Sequence, residues 1–207
     1  MKLQVPFAKT LCSPALLLSA APLLIISTSR LAFALIAACA LIWTAGISIC
    51  ISRLPQRIFP QKTFFGILPL FLFSWTASLF FFVLEILNPV LAQETMLIVL
   101  ITPAMFFAGG ICNRTQNLSF KAALGKTLGE ASVSGAFFVC FAVLRETLGY
   151  GALSIPCREG IKELFSFEGD AFPVQIISSA SGAFLLLGYI FFIARFIRPR
   201  KAKEDAV

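Results

Sequence analysis

Apolar residues run along this chain in long blocks, and polar residues are largely confined to the gaps between them. Six blocks stand out, at approximately 11–29, 31–52, 63–87, 96–112, 127–148 and 174–197. A helix that crosses a bilayer needs roughly 20 apolar residues, so each block is about one span long. The second (LAFALIAACALIWTAGISICI), the third (TFFGILPLFLFSWTASLFFFVLEIL) and the sixth (VQIISSASGAFLLLGYIFFIARF) are the plainest. Pro, Gly, Ser and Thr interrupt the first, fourth and fifth. The pattern predicts an all-α integral membrane protein with six transmembrane helices, forming a single polytopic domain over residues 1–207.

The first and fourth blocks share a feature. Small residues and a proline lie near the middle of each, in SAAPLLIISTS (Ser19 to Ser29) and in ITPAMFFAGG (Ile101 to Gly110). Proline removes a backbone donor and disturbs the helical ladder. In lipid, a broken ladder survives only where protein or a polar cavity supplies the missing partners. Two interrupted helices three spans apart run in opposite directions, as in two inverted three-helix repeats whose breaks meet near the midplane. Repeat one would cover about 11–87 and repeat two about 96–197. Two ordinary proline-kinked helices are the simpler alternative.

Composition narrows the class further. Of 207 residues, 58% are hydrophobic and 13% charged, with 23 Phe and a mean hydropathy of +0.91. Soluble domains carry about 25% charged residues, and disordered chains need low hydrophobicity, so both are excluded. Six spans leave no room for an extramembrane catalytic domain. Histidine is absent, which removes imidazole acid–base chemistry and imidazole metal ligation. The six cysteines (Cys12, Cys39, Cys50, Cys112, Cys140, Cys157) form no CxxC pair, and most sit in apolar runs as small hydrophobes do.

A net charge of +7 resembles a nucleic-acid signature, but its distribution reports orientation instead. With six spans, the N-terminus, the second-to-third and fourth-to-fifth loops and the C-terminus share one side. They hold all but Arg30, Arg145, Arg158 and Lys162 of the 17 basic residues. The positive-inside rule then places both termini in the cytoplasm, with lipid as partner and no nucleic acid. The N-terminal apolar stretch reads as a first span rather than a cleaved signal, because Arg30 and another span follow at once. LIAAC, ending at Cys39, resembles a lipobox but lies inside the second span. The sequons at Asn113 and Asn117 would face the cytoplasm as chance matches. The longest outer loop, about 149–173, carries Glu159, Glu163, Glu168 and Asp170 against Arg158 and Lys162, and an interfacial amphipathic helix is expected around REGIKELF.

Ionisable groups inside spans are functional candidates by default. Glu85, Arg145 and Glu146 fall near the outer ends of the third and fifth blocks, and Glu130 near the inner end of the fifth. Arg145 and Glu85 are expected to pair across helices. A cation or proton route is one reading of these charges, and a structural ion pair is the other. Glu130 lies in LGEASVSGAFF, a small-residue surface that admits another helix closely, and is a candidate ion-path residue with a structural role as the alternative. Gly125 and Gly129 add a GxxxG spacing.

The stretch LLSAAPLLIISTS, the ITPA break, and VLRETLGYGAL (Val143 to Leu153) resemble the six-span membrane subunits of the Rnf and Nqr redox pumps, closest to the RnfE/NqrD subunits. The likeness runs from about Leu17 to Arg200. Its most specific piece is Leu144-Arg145-Glu146 with Gly149 and Gly151, and the C-terminal SGAFLLLGYIFFIARFIRPRK is similar to the family's last helix and basic tail. The resemblance implies two inverted three-helix repeats, paired with a homologous RnfA/NqrE-like membrane subunit and with flavin- and Fe–S-bearing redox subunits. It also implies a 2Fe–2S cluster at the subunit interface, held by a Cys from each broken helix. This chain departs from that pattern, because the two ligand positions are Ala21 and Ala104. An alanine methyl cannot coordinate iron. Cys112 lies about 12 Å along a helix from Ala104, and Cys12 is no better placed relative to Ala21. No catalytic, metal or cofactor-binding residue is therefore expected in this chain.

Two functions follow as expectations. One is a membrane subunit of an Rnf/Nqr-like ion-translocating electron-transport complex in a bacterial inner membrane, at most a non-catalytic part of an oxidoreductase, providing scaffold, with an ion path as a candidate role, and no Fe–S ligands of its own. The alternative is the membrane component of a small-solute or vitamin transporter derived from the same scaffold. An assembly factor is a third.

Overall fold

The structure, a computed structural model, describes residues 14–52, 67–108, 118–157, 160–166 and 175–197. Cys12, Cys112, both sequon asparagines, Arg158, Glu159, Glu168 and Asp170 lie outside the described residues. In chain order the elements are α1 (Pro14–Ser27), α2 (Leu31–Ser52), α3 (Ile67–Leu87), α4 (Pro89–Ala108), α5 (Phe120–Tyr150), β1 (Ala152–Cys157), β2 (Gly160–Ser166), α6 (Gln175–Ser178) and α7 (Ala180–Ile197). Three of them are long and apolar enough to cross a membrane, over Leu31–Ile51, Pro89–Phe106 and Phe120–Tyr150. Phe71, Phe82, Leu97, Leu185 and Phe192 are all more than half exposed. An outward face of that kind suits hydrocarbon rather than water.

The helix boundaries follow local chemistry. α1 stops where Thr28 and Ser29 turn their hydroxyls onto the carbonyls of Leu24 (2.6 Å) and Ile26 (3.2 Å). α4 begins at Pro89, seven residues before the apolar block suggested. The Asn88 side-chain oxygen accepts from the Leu91 amide at 3.2 Å, and Pro89 occupies the first helical position, where a missing N–H costs nothing. α5 runs for 31 residues, about 46 Å at 1.5 Å per residue, and overshoots the hydrocarbon core. It ends at Gly151, whose left-handed φ of 63° lets its amide reach back to the Thr147 carbonyl.

α2 and α5 form the central antiparallel pair. Leu31 meets Glu146, Ala38 faces Gly135, and Gly46 faces Leu128. A Cβ on Gly135 would stand 3.0 Å from the Ala38 Cβ, so a glycine is what allows this approach. The expected small-residue contact therefore exists, at Gly135. Gly125 and Gly129 face open space, and their GxxxG spacing serves no contact among the described residues. The core gathers Leu23 and Leu24 of α1, Leu41 of α2, Phe73 of α3, Met105 and Phe106 of α4, and Phe138 and Phe141 of α5. Phe73 and Phe106 stack at 5.4 Å. A hydroxyl pair, Ser48 with Thr76 at 2.8 Å, ties α2 to α3 in the buried interior.

Three expectations fail here. α1 and α4 are not interrupted: each continues as α-helix through its proline, Pro22 and Pro103. In α4 the reason is visible. Pro103 has no N–H for the Val99 carbonyl, and the hydroxyl of the neighbouring Thr102 donates to that carbonyl instead. The helical break lies elsewhere, at Ser179 between α6 and α7, within one of the three plainest apolar blocks. Finally, the REGIKELF segment is not an amphipathic helix, and the chain is not all-α. Ala152–Cys157 and Gly160–Ser166 pair as an antiparallel hairpin, with Ile155 opposite Lys162 and a bulge between Leu153 and Ser154. Gly160 sits at φ 115°, a conformation outside any helix, and from there the segment pairs with β1 as a strand. The Asn88 amide group fastens the hairpin to the α3–α4 corner by donating to the Cys157 carbonyl at 2.8 Å.

Candidate functional site

The last two turns of α5 carry the buried ionisable pair. Arg145 and Glu146 are 2% and 3% exposed, and as helix neighbours they point about 100° apart, toward different elements. All five guanidinium hydrogens of Arg145 are used. Nε donates to the Ile177 carbonyl at 3.1 Å, and Nη2 to those of Ser178 (2.7 Å) and Ser179 (3.0 Å). Nη1 donates to the Ile25 carbonyl (2.8 Å) and to Thr28 Oγ1 (3.1 Å). The acceptors are the C-terminal ends of α1 and α6, where helix dipoles concentrate negative potential. Glu146 does the converse: its Oε2 accepts from the Leu31 amide at 2.7 Å, at the positive N-terminus of α2. One adjacent pair thus closes both ends of the α1–α2 turn and holds the break before α7.

The two glycines of the same motif serve this geometry. A Cβ at Gly149 would meet Ser178 at 3.1 Å, so the bare glycine brings the α6 end within reach of Arg145. Gly151 turns the chain into β1. Gly182 packs still closer, since a Cβ there would lie 2.0 Å from the Ile176 carbonyl oxygen. Its amide donates to Ser179 Oγ at 3.2 Å, making Ser179 the cap of α7.

The other sequence candidates do not join this cluster. Glu85 is exposed near the end of α3, and the expected Arg145–Glu85 pair does not form, because Arg145 has no hydrogen left to give. Glu130 is half-buried on α5, about 22 Å along the helix from Arg145. Ala21 is half-buried on α1 and Ala104 exposed on α4, and the two helices pack against each other. Cys39, Cys50 and Cys140 are exposed and Cys157 is half-buried. No group of three or more Cys, Asp or Glu side chains able to hold a metal occurs among the described residues.

Sequence reasoning missed Thr28, Asn88, Ser179 and Gly182. The Asn-Pro dipeptide and the polar SSASG run inside an apolar block were the available signals. Chemically, a guanidinium saturated by four carbonyls and a hydroxyl offers substrate nothing to bind. The Arg145–Glu146 site is a clamp. Neither the protein-family models nor the curated proteins compared with this chain match it.

Proposed function

We propose that this chain is a membrane subunit of an Rnf/Nqr-like ion-translocating electron-transport complex in a bacterial inner membrane. In this reading it spans the bilayer six times with both termini cytoplasmic, and it provides scaffold and ion path beside a homologous membrane subunit. The observation that carries the reading is the Leu144-Arg145-Glu146 motif with Gly149 and Gly151. That motif is the most specific part of the resemblance, and four of its five residues perform defined tasks at one junction. An inverted repeat is supported by packing: α1 lies on α4 and α2 on α5, the pairs that a twofold relating the two halves would set on its axis.

Ala21 and Ala104 supply no thiolate, so electrons would move through cofactors on partner subunits and none would be bound by this chain alone. The same two alanines favour a second reading, a solute-transporter membrane component built on an inherited scaffold. Affinity purification of the tagged chain from its native membranes separates the two. Flavin- and Fe–S-bearing subunits should accompany it in stoichiometric amount under the first reading. An ATP-hydrolysing module, or no redox subunit at all, would refute it.

A further inference from the structure

The bend at Ser179 is built from hydrogen bonds that have been exchanged rather than lost. In a continuous helix the Gly182 amide would donate to the Ser178 carbonyl, four residues back. Here the Gly182 amide goes to Ser179 Oγ, and the Ser178 carbonyl goes to Arg145 Nη2. The Ile177 and Ser179 carbonyls also receive Arg145 hydrogens, while the Ile176 carbonyl takes both the amide and the hydroxyl of Ser179. The carbonyls of Ile176, Ile177 and Ser178 thus have substitute partners, two of them from one side chain, while the Ser179 carbonyl keeps its helical donor, the Ala183 amide, beside its Arg145 contact.

We propose that the last apolar segment, Gln175–Ile197, is a two-state element: a bent helix latched by Arg145 that reseals into one continuous helix when the latch opens. Resealing needs no new partner, because the amides and carbonyls it would join are already present in the segment. In an apolar surrounding, unpaired carbonyls drive that exchange, so the bent state persists only while Arg145 supplies its donors. Arg145 also donates to the Ile25 carbonyl and Thr28 Oγ1 at the end of α1. A shift of the α1–α2 turn therefore pulls on the same guanidinium that holds the bend. The latch couples the first hairpin to the last helix.

The two states differ in length. In the bent state Ile176 lies beside Gly182, which leaves about 17 Å of helix axis between Ile176 and Ile193; a continuous helix separates them by about 26 Å. Both side chains are exposed and accept spin labels. The measurement is the distance between labels at Ile176→Cys and Ile193→Cys by pulsed electron spin resonance, in the full chain with its six native cysteines replaced by alanine. With Arg145 present the short distance should dominate. Arg145→Gln removes the latch, and Gly182→Ala puts a methyl where the Ile176 carbonyl must sit; each should lengthen the distance by about 9 Å. A short distance in both variants overturns the proposal, as does a long distance with Arg145 and Gly182 intact. Failure of both variants to fold also overturns it, because the resealed helix has to be a folded alternative.

Discussion

Arg145 and Glu146 are adjacent, buried and oppositely charged, yet each is neutralised by backbone rather than by the other. A buried ion pair must recover a large desolvation cost from its partner's charge. Helix ends offer a different compensation, because their unpaired N–H and C=O groups need partners in any case. The two substitutions of Glu146 should therefore differ. Glu146→Gln keeps an acceptor for the Leu31 amide and should cost about 1 kcal/mol, the value of a charge at a helix terminus. Glu146→Ala leaves that amide buried without its partner and should cost about 1–3 kcal/mol more. Thermal unfolding of the purified protein in detergent ranks the two, and equal midpoints would remove Glu146 from the clamp. Glu130 belongs to a different argument. If the proposed function holds and Glu130 lies on an ion path, Glu130→Gln should slow ion transport by the assembled complex without lowering its yield. Unchanged transport would end that role.

At the scale of elements, close contact and local capping decide more than apolar periodicity does. Gly135 and Gly129 are both small residues on α5, but only Gly135 meets a neighbour. Gly135→Ala should separate α2 from α5 and cost about 1–3 kcal/mol, as overpacking does. Gly129→Ala fills open space and should stabilise α5 by up to about 1 kcal/mol. Unfolding midpoints of the two variants, moving in opposite directions, would check this assignment of the interface. The helices themselves were legible in the apolar blocks, because long runs of Leu, Ile, Phe and Ala leave few alternatives. Their ends and breaks were not. Pro22 and Pro103 looked like interruptions, but Thr102 shows how a hydroxyl restores what Pro103 removes. The bend at Ser179 was hidden because its cause, Arg145, lies 34 residues earlier in the chain. Likewise, Gly160 and its pairing with Cys157 turned a segment of helical appearance into a strand, a tertiary choice that no local window reports.

For the whole molecule, the described elements form one packed helical body with many exposed apolar side chains, whose two buried charges, Arg145 and Glu146, are spent on joining helix ends. The site was legible as residues, since Leu144-Arg145-Glu146 with Gly149 and Gly151 stood out from the sequence. Its acceptors on α1 and α6 were not, because carbonyls carry no sequence signature. Under the proposed function, Ala21 and Ala104 stand where the resemblance implies thiolates, and an alanine methyl cannot ligate iron. In that reading the chain acts through partner subunits, and the decisive measurement is made where those partners would be present. Inverted inner-membrane vesicles, prepared with and without this chain, can be supplied with a low-potential electron donor (NADH or reduced ferredoxin) and followed for Na⁺ or H⁺ uptake. The account expects donor-driven uptake that disappears when the chain is deleted and returns when it is restored. Uptake that persists without the chain, accompanied by loss of accumulation of a small solute, would contradict it.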